Sequence, residues 1–281
     1  MKKYALPMLL LFLTFACNTS TDKNQEEPLV AQTLLNISYG NDSEQIADIY
    51  LPAGRNENTK TIILVHGGGW SGGSKADMSY FIPTLQSQFP DYAIVNTDYR
   101  LATSESPGFP KQIEDLQKLI VNLKNGDYHI SNDFAMIGTS AGAHLSMLYA
   151  YNYDPSNEVK ALCSIVGPTD FTDPAYTGNP LFQSGLFYLV GNVNPQTNPE
   201  IFIDVSPVTH VSAQSPPTIL LYGGQDPLIP ASQAPRLKDR LDDFNVYNEM
   251  YIYAEGGHGN WDAATTLDFT GKLFTFLESK F

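Results

Sequence analysis

The sequence predicts an α/β protein built around a mostly parallel β-sheet. From Leu29 onward, short β-rich runs alternate with stretches of helical periodicity. The runs TIILV (61–65) and TILLY (218–222) are continuously apolar, which is typical of strands buried on both faces of a sheet. The stretch 111–125 follows Pro110 and places Ile and Leu residues at helical spacing.

Eight strands and four helices follow from these patterns. The predicted strands are 34–39, 46–51, 61–65, 92–97, 133–137, 160–166, 218–222 and 249–253. The predicted helices are 111–125, 141–151, 231–244 and 264–281. The short segment GNDSE (40–44) lies between the first two predicted strands, so we predict that they form an antiparallel hairpin. Residues 171–210 combine aromatic residues with Pro, Gly and Asn and show little periodicity, which indicates a short lid-like insertion at one end of the sheet.

Composition narrows the class of protein. The chain has 281 residues, of which 42% are hydrophobic, enough for a substantial core, and only 16% are charged. This mixture excludes intrinsic disorder, collagen-like repeats and coiled coils. The formal net charge of −14 argues against nucleic acid or acidic lipid headgroups as partners.

The first 28 residues read as an export signal followed by a tether. Two lysines precede a 12-residue apolar run, ALPMLLLFLTFA, which is too short to cross a bilayer and typical of a signal peptide covering 1–16. The run ends at Cys17 in LTFAC, which resembles a bacterial lipoprotein processing site. We therefore predict export, a lipid anchor on Cys17 and a polar tether over 17–28, with simple secretion as the alternative. The folded α/β domain would then cover 29–281.

Two serines lie in the pattern G-x-S-x-G. Ser140 follows the predicted strand DFAMI and precedes the helical AHLSMLYAY, the strand–turn–helix setting in which a strained turn exposes a nucleophilic serine. Ser71 lies among glycines in a loop. Ser140 is therefore the candidate nucleophile and Ser71 is not.

The glycine-rich stretch around Ser71 has two possible uses. It does not match a phosphate-binding loop, because Ser74 follows Gly73 where that motif requires lysine. HGGGW directly after TIILV is instead typical of a loop whose backbone N–H groups stabilise an oxyanion, together with the N–H of Ala141.

The acid and the base are chosen by chain order. Asp226 follows the strand TILLY and occupies the position expected in the order Ser, Asp, His, whereas its rival Asp170 comes too early. His258 lies in a glycine-flanked loop after the strand EMYIY, where its ring is free to reach the serine. The other histidines are interpreted as loop, helix or surface residues; they are His66, His129, His144 and His210.

Taken together, these motifs resemble the α/β-hydrolase superfamily, specifically the HGGG-bearing esterases related to hormone-sensitive lipase and to bacterial feruloyl and acetylxylan esterases. The resemblance runs from about Ile46 to the C-terminus, with landmarks DIYLPAG, HGGGWSGG, DYRL, FPKQIEDL, GTSAGAHL, GPTDF, SPVTHVS, PPTILLYGGQDPLIP and GGHG. It implies an eight-stranded, mostly parallel sheet with helices on both faces and an antiparallel second strand. It also implies Ser140 as nucleophile, Asp226 as acid and His258 as base. The oxyanion donors that it implies are the N–H groups of Gly68, Gly69 and Ala141.

The expected function is hydrolysis of carboxylic esters through an acyl-enzyme, without a metal or organic cofactor. The resemblance favours acetyl, feruloyl or other small acyl esters of carbohydrates as substrates. Trp70 is a candidate substrate-binding residue. Tyr99, Phe182, Phe187 and Tyr188 form either an aromatic platform or the core of a lid. Two alternatives stay open at this point, a serine peptidase or amidase of the same fold and a non-catalytic binding lipoprotein.

Overall fold

The computed structural model describes residues 28–178 and 180–281, which form one eight-stranded sheet. The predicted signal peptide, Cys17 and all but the last residue of the tether lie outside the described residues. The strands are β1 Gln32–Ser38, β2 Ile46–Leu51, β3 Thr61–Val65, β4 Ala93–Thr97, β5 Phe134–Thr139, β6 Val159–Ile165, β7 Thr218–Gly223 and β8 Asn248–Tyr253. Their order across the sheet is β1-β2-β4-β3-β5-β6-β7-β8. All eight predicted strands are present, with ends shifted by no more than two residues.

Pairing confirms the predicted mostly parallel sheet. β2 is antiparallel to both β1 and β4, and the remaining neighbours are parallel. The hairpin predicted for the first two strands is therefore present. Every residue of β3, β4 and β7 is buried, which explains why TIILV and TILLY show no alternation of apolar and polar residues. The edge strand β1, in contrast, is largely exposed.

Helices cover both faces of the sheet. They are α1 Phe81–Gln88, α2 Lys111–Asn125, α3 Ala141–Leu148, α4 Pro174–Thr177, α5 Pro180–Val190, α6 Pro199–Asp204, α7 Gln233–Asp243 and α8 Ala263–Lys280. The connection through α1 runs across the sheet in the opposite direction to the connections through α2 and α3. Because such crossovers are right-handed, α1 lies on one face of the sheet and α2 and α3 lie on the other. Edge-to-face contacts of Phe81 with Phe269 and of Phe89 with Phe274 join α8 to α1.

Three helical features depart from the sequence prediction. The 171–210 insertion contains α4, α5, α6 and a 3₁₀ turn at Pro207–His210, whereas its sequence shows little periodicity. α5, PLFQSGLFYLV, is apolar almost all round, so it lacks the contrast that reveals a surface helix. α1 was not predicted at all. α3 ends at Leu148 rather than at residue 151 and continues as a π-helical turn, Tyr149–Tyr153.

Two further observations concern the described part of the chain. Within 28–178 and 180–281, no helix has both the length and the apolar character needed to cross a bilayer. Cys163 is a free cysteine buried in β6. Its burial raises the pKa of the thiol, so the group stays protonated and unreactive at neutral pH.

Candidate active site

Ser140 occupies a sharp turn between β5 and α3. Its backbone angles, φ 51° and ψ −119°, lie in a region that side-chain-bearing residues rarely adopt. The turn is possible because two neighbours lack a Cβ. A Cβ on Gly138 would lie 2.5 Å from backbone atoms of Ala143, and one on Gly142 would lie 2.2 Å from the carbonyl oxygen of Val65. The sequence G-T-S-A-G therefore lets strand and helix approach closely and raises the serine hydroxyl above the sheet.

Three side chains that are distant in sequence form a continuous hydrogen-bonded chain. His258 Nε2 lies 2.8 Å from Ser140 Oγ, and His258 Nδ1 lies 2.8 Å from Asp226 Oδ2. The other carboxylate oxygen of Asp226 accepts hydrogen bonds from the backbone N–H groups of Leu228 and Ile229. Because the Asp226 side chain is 1% exposed and fully bonded, it can hold Nδ1 as the donor and leave Nε2 free to accept a proton from the serine.

The loops that carry the acid and the base are packed against each other. Asp226 follows β7 and His258 follows β8, and these strands are adjacent and parallel. A Cβ on Gly223 would lie 2.3 Å from the carbonyl oxygen of Gly257, and one on Gly224 would lie 2.7 Å from that of Ala254. The glycines in YGGQD and EGGHG thus allow both loops to reach the same end of the sheet.

The glycine loop after β3 runs beside Ser140. A Cβ on Gly67 would lie 3.1 Å from Ser140 Cβ and 3.0 Å from the Thr139 carbonyl oxygen, so a side chain there would push the nucleophile turn by a few tenths of an ångström. Gly68 and Gly69 have φ of 112° and 56°, and the Gly68 carbonyl accepts from the N–H groups of Ser71 and Gly72, so the loop turns tightly. Within 28–178 and 180–281, the N–H groups of Gly68, Gly69 and Ala141 have no protein acceptor. They are therefore available to a ligand oxygen.

His66, the first residue of the glycine loop, supports that loop from within the core. Its ring stacks on Tyr99 with centroids 4.2 Å apart, and the Tyr99 hydroxyl donates to the His66 carbonyl. Burial lowers the pKa of His66, so the ring is neutral. Tyr99 is accordingly part of the core and not a substrate platform.

The rival candidates lie elsewhere. Asp170 pairs with Arg236 at 2.6 Å, in a network with no link to His258. His129 lies between acidic side chains on the surface, and His210 contacts the Asp204 carbonyl. Ser71 is not among the residues that line the cavity next to Ser140.

That cavity has a volume of about 700 Å³ and opens directly onto Ser140 and His258. Most of its wall is apolar, and Asp77 contributes a carboxylate. Trp70 lines the cavity but is only 6% exposed, so it forms wall rather than an open platform. Phe182 also lines it, whereas Phe187 and Tyr188 do not appear among the described lining residues. Several apolar wall residues were not predicted from the sequence, namely Met78, Tyr176, Leu186, Leu228, Trp261 and Phe269.

No motif marked those wall residues, because they come from the insertion and from loops whose spatial neighbours the sequence does not show.

No group of three or more His, Cys, Asp or Glu side chains is placed to hold a metal ion in the part of the chain that the structure describes.

Comparison with known proteins decides the family. The BD-FAE family matches residues 47–241, well over half of the chain. The chain belongs to the BD-FAE family. The BD-FAE match includes the glycine loop, Ser140 and Asp226, and ends before His258.

Proteins named as esterases are among those similar to this chain, beside a kynurenine formamidase of Danio rerio. The chain is 29% identical over 247 residues to esterase LipC of Mycobacterium tuberculosis, covering 79% of this chain and 59% of LipC. The chain thus spans little more than half the length of that relative.

Two solved structures confirm the α/β-hydrolase fold of this BD-FAE chain. A truncated carbohydrate esterase from gut microbiota superposes with a TM-score of 0.71 at 23% identity, covering 91% of this chain and 99% of that one. An acetyl ester-xyloside bifunctional hydrolase from Caldicellulosiruptor lactoaceticus gives 0.69 at 18% identity, covering 89% and 97%.

Proposed function

We propose that the protein is a serine carboxylic-ester hydrolase in which Ser140 is the nucleophile, His258 the general base and acid, and Asp226 the group that orients His258. The observation that carries this proposal is the pair of 2.8 Å contacts that joins Asp226 to His258 and His258 to Ser140, the last two of which line the cavity. Membership of the BD-FAE family and the likeness to proteins named as esterases support it.

The geometry supports a two-step mechanism. His258 Nε2 takes the Ser140 proton while Oγ bonds to the ester carbonyl carbon, and the imidazolium that forms is stabilised by the Asp226 carboxylate. The tetrahedral intermediate collapses, the bond to the alcohol oxygen breaks, and His258 gives its proton to that oxygen. Water, deprotonated by His258, then attacks the acyl-enzyme, and the acid leaves as Ser140 regains its proton.

The oxyanion of each intermediate is proposed to bind the N–H groups of Gly68, Gly69 and Ala141. All three residues line the same cavity as Ser140, and their amides have no protein acceptor among the described residues. Fixed donors of this kind stabilise charge that develops only in the transition state, and losing one typically costs about 100- to 1000-fold in kcat.

For substrates we propose acetyl, feruloyl or other small acyl esters of carbohydrates. A cavity of about 700 Å³ accommodates an aromatic acyl group or a short acyl group with part of a sugar. The likeness to a carbohydrate esterase and to an acetyl ester-xyloside hydrolase supports this choice. Polymer-bound esters also agree with the export signal proposed for residues 1–16.

We also propose that the mature protein is attached to a bacterial membrane through lipid on Cys17, which leaves the hydrolase domain on a polar tether. Replacing Cys17 by Ser should move the protein from the detergent-soluble membrane fraction to the soluble exported fraction. An unchanged membrane fraction would contradict the anchor.

The proposed function is tested by hydrolysis of p-nitrophenyl acetate with the wild type, Ser140→Ala and Ser71→Ala. We expect turnover by the wild type and Ser71→Ala, and its loss in Ser140→Ala. Retained turnover in Ser140→Ala would refute the nucleophile assignment. A wild type that cleaves aminoacyl anilides but not esters would indicate an amidase, and one that cleaves neither would favour a binding protein. A panel of acetylated and feruloylated oligosaccharides then tests the substrate class.

A further inference from the structure

His144 makes two buried hydrogen bonds whose directions are both determined. The Trp70 indole N–H, which can only donate, points at His144 Nδ1 at 3.1 Å. Nδ1 must therefore be unprotonated, so the ring proton is on Nε2, which donates to the Val205 carbonyl at 2.7 Å. His144 is 0% exposed, and its burial lowers the pKa of the ring to about 4, which keeps it neutral at the pH of ester hydrolysis.

These two bonds join three separate parts of the site. His144 is the fourth residue of α3, and its N–H donates to the carbonyl of the nucleophile Ser140. Trp70 ends the glycine loop, 74 positions away in sequence. Val205 caps the C-terminal end of α6 in the insertion. Edge-to-face contacts of His144 with Trp70 and Phe171 fill the space around the bonds.

Trp70 needs such support because of its backbone. It is the third consecutive residue of the loop with positive φ, at 63°, a conformation that disfavours a bulky side chain. Its carbonyl accepts from the N–H of Ala102 and from Gln112 Nε2, so the backbone is held on one side. The indole N–H bond to His144 holds the side-chain end, against the helix that begins at the nucleophile.

We propose that His144 is a positioning residue for ester hydrolysis. Its bond to Trp70 holds the Gly68 and Gly69 amides in place beside Ser140. Its bond to Val205, in the insertion, orients the His144 ring. This inference rests on the proposed function. It predicts that the bond from Trp70 to His144 contributes to transition-state stabilisation and little to the binding of substrate.

The test compares Trp70→Phe, His144→Leu and His144→Gln with the wild type. Trp70→Phe removes the indole donor together with part of the ring, and His144→Leu removes both ring bonds. His144→Gln retains one acceptor and one donor. His210→Gln is the matched control, since His210 also contacts a carbonyl at the end of α6, that of Asp204, without touching the glycine loop.

Each variant is assayed for kcat and KM with p-nitrophenyl acetate, per active site titrated with diethyl p-nitrophenyl phosphate. The inhibition constant of phenylboronic acid is measured beside them, because its tetrahedral serine adduct places an oxygen among the oxyanion donors. A purely structural role would reduce the number of active sites and leave these per-site values unchanged.

We expect Trp70→Phe and His144→Leu to lower kcat on the order of 10-fold and to weaken phenylboronic acid similarly, with KM changed less than about 2-fold. His144→Gln should recover part of the loss, and His210→Gln should match the wild type. Should His144→Leu fail to fold, Trp70→Phe gives the same comparison.

Unchanged per-site kcat and phenylboronic acid affinity in Trp70→Phe would overturn the role of His144, as would an equal loss in His210→Gln. A wild type that neither hydrolyses the ester nor binds phenylboronic acid would overturn the proposed function, and this role with it. The two failures are therefore distinguishable.

Discussion

Gly142, the second residue of α3, allows a direct test of how closely the nucleophile turn is packed against β3. An added Cβ would lie 2.2 Å from the carbonyl oxygens of both Val65 and His66, and Cβ atoms essentially never approach another heavy atom within 3.0 Å. Both neighbours are backbone atoms at the start of the glycine loop, so neither can rotate away. In Gly142→Ala, strand and helix must therefore separate by at least about 0.8 Å.

The separation has two measurable effects. Forcing extra volume into packed backbone costs about 1–3 kcal/mol, which for a domain of this size lowers Tm by about 2–12 °C. The same shift moves Ser140 relative to the Gly68 and Gly69 amides. Because a misplacement of about 1 Å at a reacting centre costs roughly 100-fold, we expect kcat/KM with p-nitrophenyl acetate to fall by about that factor.

Gly271→Ala is the matched control. Gly271 lies inside α8, and a Cβ there meets no atom within 4 Å. Alanine is favoured over glycine in a helix by about 0.5–1 kcal/mol, so Tm should rise by about 1–4 °C with kcat/KM unchanged. Scanning calorimetry and steady-state kinetics on both variants decide the matter. If Gly142→Ala retained wild-type Tm and activity, the packing argument for the turn would be refuted.

Two further predictions concern the choice between two aspartates as catalytic acid and the titration of a buried histidine. Asp226→Asn should lower kcat about 10⁴-fold, because His258 loses the carboxylate that orients it. Asp170→Asn breaks the pair with Arg236, so it should lower Tm and leave kcat within about 2-fold of the wild type. Equal losses of kcat in the two variants would contradict the choice of Asp226 as the acid. His144 has a pKa of about 4 when folded and about 6.5 when unfolded, so the unfolded chain binds the additional proton between those values. The free energy of unfolding should therefore fall by roughly 3 kcal/mol from this group as pH drops from about 6.5 to about 4. Urea unfolding across that range should show a shallower fall in His144→Gln, and an identical slope would contradict the prediction.

The sheet could be predicted from sequence because its strands are buried on both faces. TIILV and TILLY are apolar without interruption, and runs this short are typical of central strands. The position of Ser140 followed from an equally local signal, since strand, glycine turn and helix are contiguous. The central strands and the Ser140 turn depend on residues that are neighbours in the sequence, so they can be predicted without knowledge of the fold.

The features that were not predicted depend on contacts between distant segments. α5 is apolar almost all round, so its helical period is hidden. The cavity wall combines residues such as Tyr176, Leu228 and Trp261 from separate loops. The role of His144 could not be predicted, because its partners Trp70 and Val205 are 74 and 61 positions away.

The most direct test of the central claim is the chemical identity of the nucleophile. Diethyl p-nitrophenyl phosphate should release one equivalent of p-nitrophenolate per chain and add one diethylphosphoryl group. Mass spectrometry of the digested protein should place that group on Ser140 in the wild type and in Ser71→Ala, and Ser140→Ala should show no burst. A label on Ser71, or a full burst from Ser140→Ala, would contradict the account.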